Sequence, residues 1–468
     1  MRRPAGAGAA AGTRGGGSAA ADAAPLEVAD RVVAMAHDDE QLEAYVVRST
    51  DTQVRVHGGE VEQLAVASSV GVGVRVVRDG RQGFASCGTV DPDAVAEAVA
   101  EARDNAAHGE PDEAAGLPEP DGVEPPALDL WHPGYAEVPL DDKVALALEL
   151  ERAVVGADRR ITGVESCDYE DWRTEVAVCS TTGVRRSARE TGGELVAWSL
   201  AGDGDDLQSG FGFSFGRSFD DLDVEAAARD AVERAVRMLG ATKPPSARTT
   251  VVLDPWVTAQ LLGVVAGMLA GDEVVKGRSP FAGRVGEEVA SPRVTLVEDP
   301  TDPRHWGASP VDAEGRATRR VPLVTAGVLE GFVHSTWTAR RMGAEPTGSA
   351  VRAGHASTPV AGCRAVSLVP GDADPARLVA GVDDGVLVHD VSGLHSGVNP
   401  VSGDLSTGAE GRRIRGGEPA EPLREFTIAS TLPRLLRDVV AVGSDLTWLP
   451  AGAAGVTLVV ADVTVSGA

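Results

Sequence analysis

VVLDPWVTAQLLGVVAGMLAGD, Val251 to Asp272, is the stretch whose reading decides this chain. It opens as a strand, Thr250 to Leu253, and continues as a helix in which Val257, Leu261, Val264, Val265 and Met268 recur at helical spacing. Leu262 and Leu269 fill the neighbouring face, so the helix is built to be packed rather than to hold a solvated ion. The stretch carries no His and no metal-ligand cluster. A catalytic zinc needs about three protein ligands, an open position for water and a nearby carboxylate to take that water's proton.

Around this centre the composition is that of a globular protein of two or three domains, with 468 residues and 43% apolar content to build cores. The net charge of -27 repels nucleic-acid phosphates and anionic membranes. Arg412, Arg413 and Arg415 form the best local basic cluster, which reads as a solvated loop beside a Gly-rich turn. Cys87, Cys167, Cys179 and Cys363 lack Cys-x-x-Cys spacing and read as thiols in a reducing compartment. The start, MRRPAGAGAAAGTRGGGSAAADAA, pairs Arg2 with Arg3, but Gly, Thr, Arg and Ser interrupt every apolar run that follows. A disordered tail over 1–25 is therefore expected rather than an export signal, in a cytoplasmic protein with no membrane span.

Element order follows from periodicity and turn chemistry. A helix over Leu26 to His37 precedes short strands at Glu43 to Ser49, Gln53 to His57, Val61 to Ser68 and Gly71 to Arg78, joined as antiparallel hairpins by Gly-containing turns. An Ala-rich helix from Pro92 to Ala107, capped by Asp91, completes a first α+β domain over 26–108. Residues 109–135, dense in Pro, Glu, Asp and Gly, read as a linker or surface loop. A second α+β domain over 136–242 repeats the plan, with helices Leu140 to Val155 and Leu222 to Leu239 around strands at Gly163 to Trp172, Thr174 to Ser180 and Val184 to Leu200. A β-rich domain over 247–468 follows, ending in strand Val456 to Val465. The fold class is α+β, with helix-flanked antiparallel sheets in front and a β-rich domain behind.

Five ordered segments carry a resemblance: VVLDP (Val251 to Pro255), GRSPFAGRVGEEVASP (Gly277 to Pro292), RRVPLVTAGVLEGFV (Arg319 to Val333), GVNPVSGDLSTGAEG (Gly397 to Gly411) and AVGSDL (Ala441 to Leu446). Together they closely resemble the TldD/PmbA (TldD/TldE) metalloprotease family. In its metal-binding branch the corresponding helix carries His-Glu-x-x-x-His before a Leu-x-Gly-Asp ending. Laying that ending on Leu269, Gly271 and Asp272 puts the two His at Leu262 and Gly267 and the Glu at Gly263. The third ligand of that branch, a Cys just past the turn resembling Val442 to Leu446, has no counterpart in Thr447 to Val456. Ser349, Ser430 or Thr431, and Ser444 stand where the family's polar turns carry Asn.

The resemblance thus implies a PmbA/TldE-like subunit without zinc of its own, paired with a TldD-type metal-bearing subunit that supplies the zinc. It implies cleavage of unfolded peptides or peptide precursors in an enclosed cavity, and the charge and the lack of an apolar span point to no nucleic-acid or membrane partner. Its relatives are associated with peptide antibiotic maturation, antitoxin degradation and modulation of DNA gyrase. Contacts to substrate or partner are expected at Arg278, Ser279, Asn399, Pro400, Gly403 and Asp404. In the last four, Asn399-Pro400 starts a turn, Gly403 permits positive φ and Asp404 can bind backbone amides. Structural turn and functional rim both fit that loop.

Rival constellations are weaker. His305, His334, His355, His389 and His395, with Asp299, Asp302, Asp390 and Asp404, lack tight metal-ligand spacing apart from the loose His389, Asp390 and His395 group. Cys363 with His355 is the only thiol pairing to weigh, and it has no base at a fixed offset. The acidic run Gly202 to Asp206 lacks a calcium-loop plan, and Gly71-Val72-Gly73 reads as close backbone packing inside a strand. Two other classes stay open: a free-standing hydrolase with an unrecognised site, which predicts activity in the isolated chain, and a non-enzymatic regulator of the gyrase-modulator type, which predicts stable target binding without a TldD-type partner.

Overall fold

The computed structural model describes residues 24–450 and 452–467; the expected tail lies outside them up to residue 23. Its last residue, Pro25, already opens helix α1 (Pro25–Val33), where proline's fixed φ suits a first turn. Two long strands follow, β1 (Gln41–His57) and β2 (Glu60–Arg78), then β3 (Arg81–Cys87). The hairpin turn is Gly58-Gly59, both at positive φ (65° and 78°), a conformation that matches strand twist.

The breaks expected at Ser49–Gln53 and Ser68–Gly71 do not occur. Strand β1 is paired on both sides there, and hydroxyls meet across the ladders: Thr50 with Ser68 at 3.1 Å and Ser49 with Thr174 at 3.3 Å. Helix α2 (Pro92–His108) is capped by Asp91, whose carboxylate accepts the Asp93 and Ala94 N–H groups.

Helix α3 (Leu140–Ala157), β4 (Ile161–Ser180), β5 (Arg185–Ala201), β6 (Gln208–Gly216) and helix α4 (Val224–Val236) form the second unit. The two units are not separate sheets. β1 pairs antiparallel with β4, giving one six-stranded sheet in the order β3-β2-β1-β4-β5-β6. Two cores lie under it, one between α1, α2 and β1 to β3, the other between α3, α4 and β4 to β6. Residues 110–132 hold no helix or strand, yet they are a packed strap: Asp112 accepts the Trp337 indole N–H at 2.8 Å, Arg340 donates to the Ala114 and Leu117 carbonyls, and Leu130 accepts from the Thr191 N–H.

Strand β6, QSGFGFSFG, escapes a propensity-based reading because every second residue in its middle is Gly or Ser. The glycines are required by packing. A Cβ on Gly212 would lie 1.9 Å from the Ala227 carbonyl oxygen, and one on Gly210 2.3 Å from that of Ala231, so bare backbone is what lets α4 rest on the strand. Gly71 and Gly73 play the expected role in β2, where the His355 segment packs directly on them.

The C-terminal unit begins with β7 (Ala247–Leu253), α5 (Pro255–Met268) and α6 (Gly271–Val275). A small sheet joins β8 (Leu296–Glu298), β9 (Val321–Thr325) and β10 (Val328–Leu329) to β13 (Val366–Leu368); between them come α7 (Thr336–Met342) and the pair β11 (Ala350–Val351) and β12 (Val360–Ala361). The main sheet adds β14 (Asp384–Ser392), β15 (Asp404–Arg415), β16 (Glu418–Thr431), β17 (Val439–Val442) and β18 (Leu458–Ser466) in the order β16-β15-β14-β7-β18-β17. β16 also pairs with β18, which closes the sheet on itself and removes its free edges there. β7 and β14 run parallel, the connection between them passing through α5 and the small sheet. Val257, Leu261, Leu262, Val265, Met268 and Leu269 of that connection are buried in the largest core.

Across the junction of the two units lies a buried ionic cluster. Glu43 on β1 accepts from Arg75 on β2 at 2.6 Å and from Arg352, while Arg75 also approaches Glu314 at 3.5 Å. Glu314 in turn accepts the Thr336 N–H at the start of α7. No helix among the described residues is long and apolar enough to cross a membrane.

Candidate functional site

Helix α5 organises the candidate site. Asp254 caps it by accepting the Val257 N–H at 3.0 Å, and Pro255 sits in its first turn. Of the three positions singled out on this helix, Leu262 is in the core, whereas Gly263 and Gly267 are exposed, with no atom within 4 Å of where a Cβ would stand. A helix-interior glycine costs about 1 kcal/mol relative to alanine, and packing demands neither of these two. On the N-terminal side of this bare strip, Trp256 and Gln260 both donate to Asp390, at 3.0 and 3.5 Å.

The helix ending is explained by contact. A Cβ on Gly271 would lie 2.7 Å from the His334 ring and 2.8 Å from the Thr338 hydroxyl, and Asp272 accepts the Ala361 N–H at 2.6 Å, fastening β12 to α6. Ser279 is buried, donating to the Met268 carbonyl at 2.6 Å and accepting the Phe281 N–H, so it shapes the loop after the helix. Arg278 beside it is exposed.

Asn399 accepts the Val401 and Ser402 N–H groups, and Ser402 donates to the Asp404 carboxylate at 2.7 Å. Gly403, at φ 79°, has Pro433 2.7 Å and Pro280 3.8 Å from its would-be Cβ. The loop Asn399–Asp404 and the loop after α6 therefore meet through Gly403 and Pro280. Asn399, Pro400 and Asp404 face solvent at this junction.

The scattered histidines serve separate places. His389 faces Asp254 at 3.3 Å, Asp390 is taken by Trp256 and Gln260, and His395 is exposed. Burial pushes the His305 pKa down to about 4, and its Nδ1 accepts the Gly307 N–H. The Asp302 carboxylate beside it is held by Arg304 at 2.7 Å. His355 lies over Gly71 on β2, whereas Cys363 lies against Ala266 on α5, its thiol pKa raised by burial, so the two form no nucleophile and base pair. Among the described residues no three His, Cys, Asp or Glu side chains come together in a way that could hold a metal ion, and those at α5 do not fit zinc.

A feature that the sequence reading missed lies on the other side of Trp256. Phe211, Phe213 and Phe215 project from the face of β6 opposite α4 and continue into Trp198, Trp256 and Trp306, with ring centroids 4.8 to 5.5 Å apart along Trp198, Phe211, Trp256, Phe213, Phe215 and Trp306. Beside them opens a cavity of about 390 Å³ between Phe213–Arg217 on one wall and Trp306 with Trp448–Pro450 on the other. A smaller one of about 150 Å³, sharing Arg304 and Trp448, is lined by Asp299, Asp302, His305 and Arg320. The alternation GFGFSFG in a chain with only 4% aromatic residues was the available signal.

Near this smaller cavity Glu298 is fully buried, and burial pushes its pKa up to about 7 although it accepts the Arg364 and Ala365 N–H groups. The folded state therefore binds this proton more tightly than the unfolded chain. Its contribution to stability is full below the unfolded value and is lost as pH rises through about 7. Thermal unfolding followed from about pH 5 to pH 8 should show a Tm that falls up to about pH 7 and then levels, a fall that Glu298→Gln flattens. Parallel slopes for the two proteins would contradict the assignment.

A helix-flanked antiparallel sheet joined to a closed β sheet, with helix α5 beside an aromatic-lined cavity, defines an α+β scaffold. The chain belongs to the PmbA/TldA metallopeptidase family: residues 42–106 match its domain 1, 133–239 its central domain and 246–467 its C-terminal domain. It is similar to the metalloprotease PmbA of Escherichia coli O157:H7, 28% identical over 407 residues that cover 86% of this chain and 87% of that protein. A solved structure from Thermotoga maritima, described as a proposed modulator of a DNA gyrase, superimposes with a TM-score of 0.86 at 25% identity, covering 94% of this chain and 99% of that one. TldE from Thermococcus kodakarensis shares the fold, with a TM-score of 0.84 at 24% identity over 94% of this chain and 99% of its own.

Proposed function

We propose that this chain is the PmbA/TldE-type subunit of a two-subunit metallopeptidase, in which a TldD-type partner carries the zinc and this chain closes the cavity and holds extended peptide. The observation that carries the reading is helix α5. Where a metal-binding relative would present His, Glu and His, this chain has a buried Leu262 and the bare, solvent-facing Gly263 and Gly267. Neither glycine can bind a metal or move a proton, and a strip without side chains leaves room for another chain to approach the helix backbone. Peptide is the substrate class that fits a scaffold with free strand edges, since strand addition uses backbone groups every peptide has. The rim where Gly403 meets Pro280, with Arg278, Asn399, Pro400 and Asp404 exposed around it, is the proposed contact to partner or substrate.

Co-expression with a family relative that retains the His-Glu-x-x-x-His helix tests this reading. The two chains are expected to co-purify and hydrolyse an unfolded peptide together, while this chain alone does not. Hydrolysis by the isolated chain, or failure of the pair to associate, would contradict it.

A further inference from the structure

The 390 Å³ cavity has a property that a simple surface hollow lacks. Four consecutive residues of β6, Phe213 to Gly216, line it. Successive residues of a strand point to opposite faces, so a cavity touched by all four lies against the edge of the strand rather than against one face. Among the described residues β6 is the last strand of its sheet and pairs only with β5, so no further strand covers that edge, where the Gly216 carbonyl oxygen accepts the Tyr135 hydroxyl. The facing wall is a second backbone segment, Trp448-Leu449-Pro450, which belongs to no strand. The cavity is a slot between the outer edge of β6 and a loop, within the range of about 300–1,000 Å³ found for ligand pockets.

The side chains around the slot are aromatic. Phe213 and Phe215 come from β6 and Trp306 and Trp448 from the C-terminal unit, with the Phe215 and Trp306 rings in contact at 5.5 Å. The cations present are already engaged: Arg217 lies 4.5 Å over the Trp306 ring and donates to the His305 and Trp306 carbonyls, and Arg304 pairs with Asp302. The one lining carboxylate, Asp221, accepts the Ser218 N–H at 2.9 Å, so besides these engaged groups the slot offers backbone hydrogen bonds and aromatic surface. Its occupant must bring unpaired backbone groups of its own and an uncharged, flat or apolar side chain.

We infer that this slot binds an extended peptide as an added strand on the outer edge of β6, laying an aromatic side chain of that peptide against the aromatic lining that Phe213, Phe215, Trp306 and Trp448 form. The inference deepens the proposed peptide-holding role by giving it a place and a side-chain preference. It rests on that role only for its biological meaning, because the binding can be measured on this chain alone.

The probe is the blocked pentapeptide acetyl-Ala-Val-Phe-Val-Ala-amide, titrated into the full chain by calorimetry and tryptophan fluorescence. Saturable binding with quenching is expected. Replacing the peptide's Phe by Glu, or N-methylating its alternate backbone nitrogens, should each weaken it about tenfold or more, since the first removes the aromatic anchor and the second the strand hydrogen bonds. Trp448→Ala should weaken the parent peptide by about the same factor, with circular dichroism confirming the fold. The modified peptides use the unaltered protein, so a misfolded variant leaves the test intact. No saturable binding, or binding indifferent to all three changes, overturns the inference. If the co-expressed pair is active while this binding is absent, the slot fails and the subunit role stands; if the slot binds and the pair is inactive, the reverse holds.

Discussion

Glu43→Gln is expected to destabilise the chain by about 3–5 kcal/mol, the cost of removing one partner from a buried ionic cluster. Glu43, Arg75 and Glu314 are each at most 4% exposed, and Arg352 completes the set. A neutral amide at 43 leaves Arg75 with Glu314 alone, 3.5 Å away, and takes from buried Arg352 the carboxylate it pairs with. The cluster joins β1 and β2 to segments of the C-terminal unit, so the variant should also separate the unfolding of the two units, seen as two transitions in urea where the native chain shows stronger coupling. Burial by itself would raise the Glu43 pKa, but Arg75 and Arg352 beside it outweigh that and hold it below its ordinary value. The sign follows: this contribution is present above the unfolded pKa and is lost as pH falls through the depressed folded one. Glu43→Gln should therefore remove part of the native chain's acid sensitivity. A loss under about 1 kcal/mol would show that the cluster contributes little across the junction.

Gly212→Ala is the second large effect, with an expected loss of about 3 kcal/mol from forced overlap in a packed interior. The added methyl would stand 1.9 Å from the Ala227 oxygen and 2.5 Å from the Ala231 nitrogen, both backbone atoms of α4, so no rotamer change relieves it. Helix and strand must separate, and the aromatic face of β6 would shift with them. Gly263→Ala is the matched control: it lies on the open face of α5, where a methyl meets nothing within 4 Å, and it should be neutral or stabilising by up to about 1 kcal/mol. Chemical denaturation of both variants checks the contrast. Equal stabilities would mean that α4 does not rest on β6 as closely as described.

These two sites mark what sequence could and could not reveal. Helix α5 was legible because Val257, Leu261, Leu262, Val265 and Met268 are buried at the spacing the pattern gives. The cap at Asp91 and the close packing at Gly71 and Gly73 were legible for equally local reasons. Strand β6 was not, because its glycines are set by the approach of α4, a tertiary cause with no local signature. The joining of two units through β1 and β4 was hidden too. The polar middle of β1, Arg48 to Gln53, looks like a turn until strands on both sides supply its partners.

The candidate site divides along the same line. Gly403 was flagged from local turn chemistry and Ser279 from the family resemblance, and the structure brings their loops together through Pro280. The slot beside β6 needed Trp306 and Trp448, distant in sequence, to be seen. In the strap, Pro, Glu and Asp signalled a loop, but its packing depends on Trp337 and Arg340 far along the chain.

The central claim is that the metal of the complex belongs to the partner. The most direct measurement is elemental mass spectrometry of the purified full chain, alone and after co-purification with the metal-bearing relative. No stoichiometric zinc is expected in the isolated chain and about one zinc per pair in the complex, abolished by replacing the partner's helix histidines and unaffected by His389→Ala here. About one zinc bound to this chain alone, lost with His389→Ala, would contradict it.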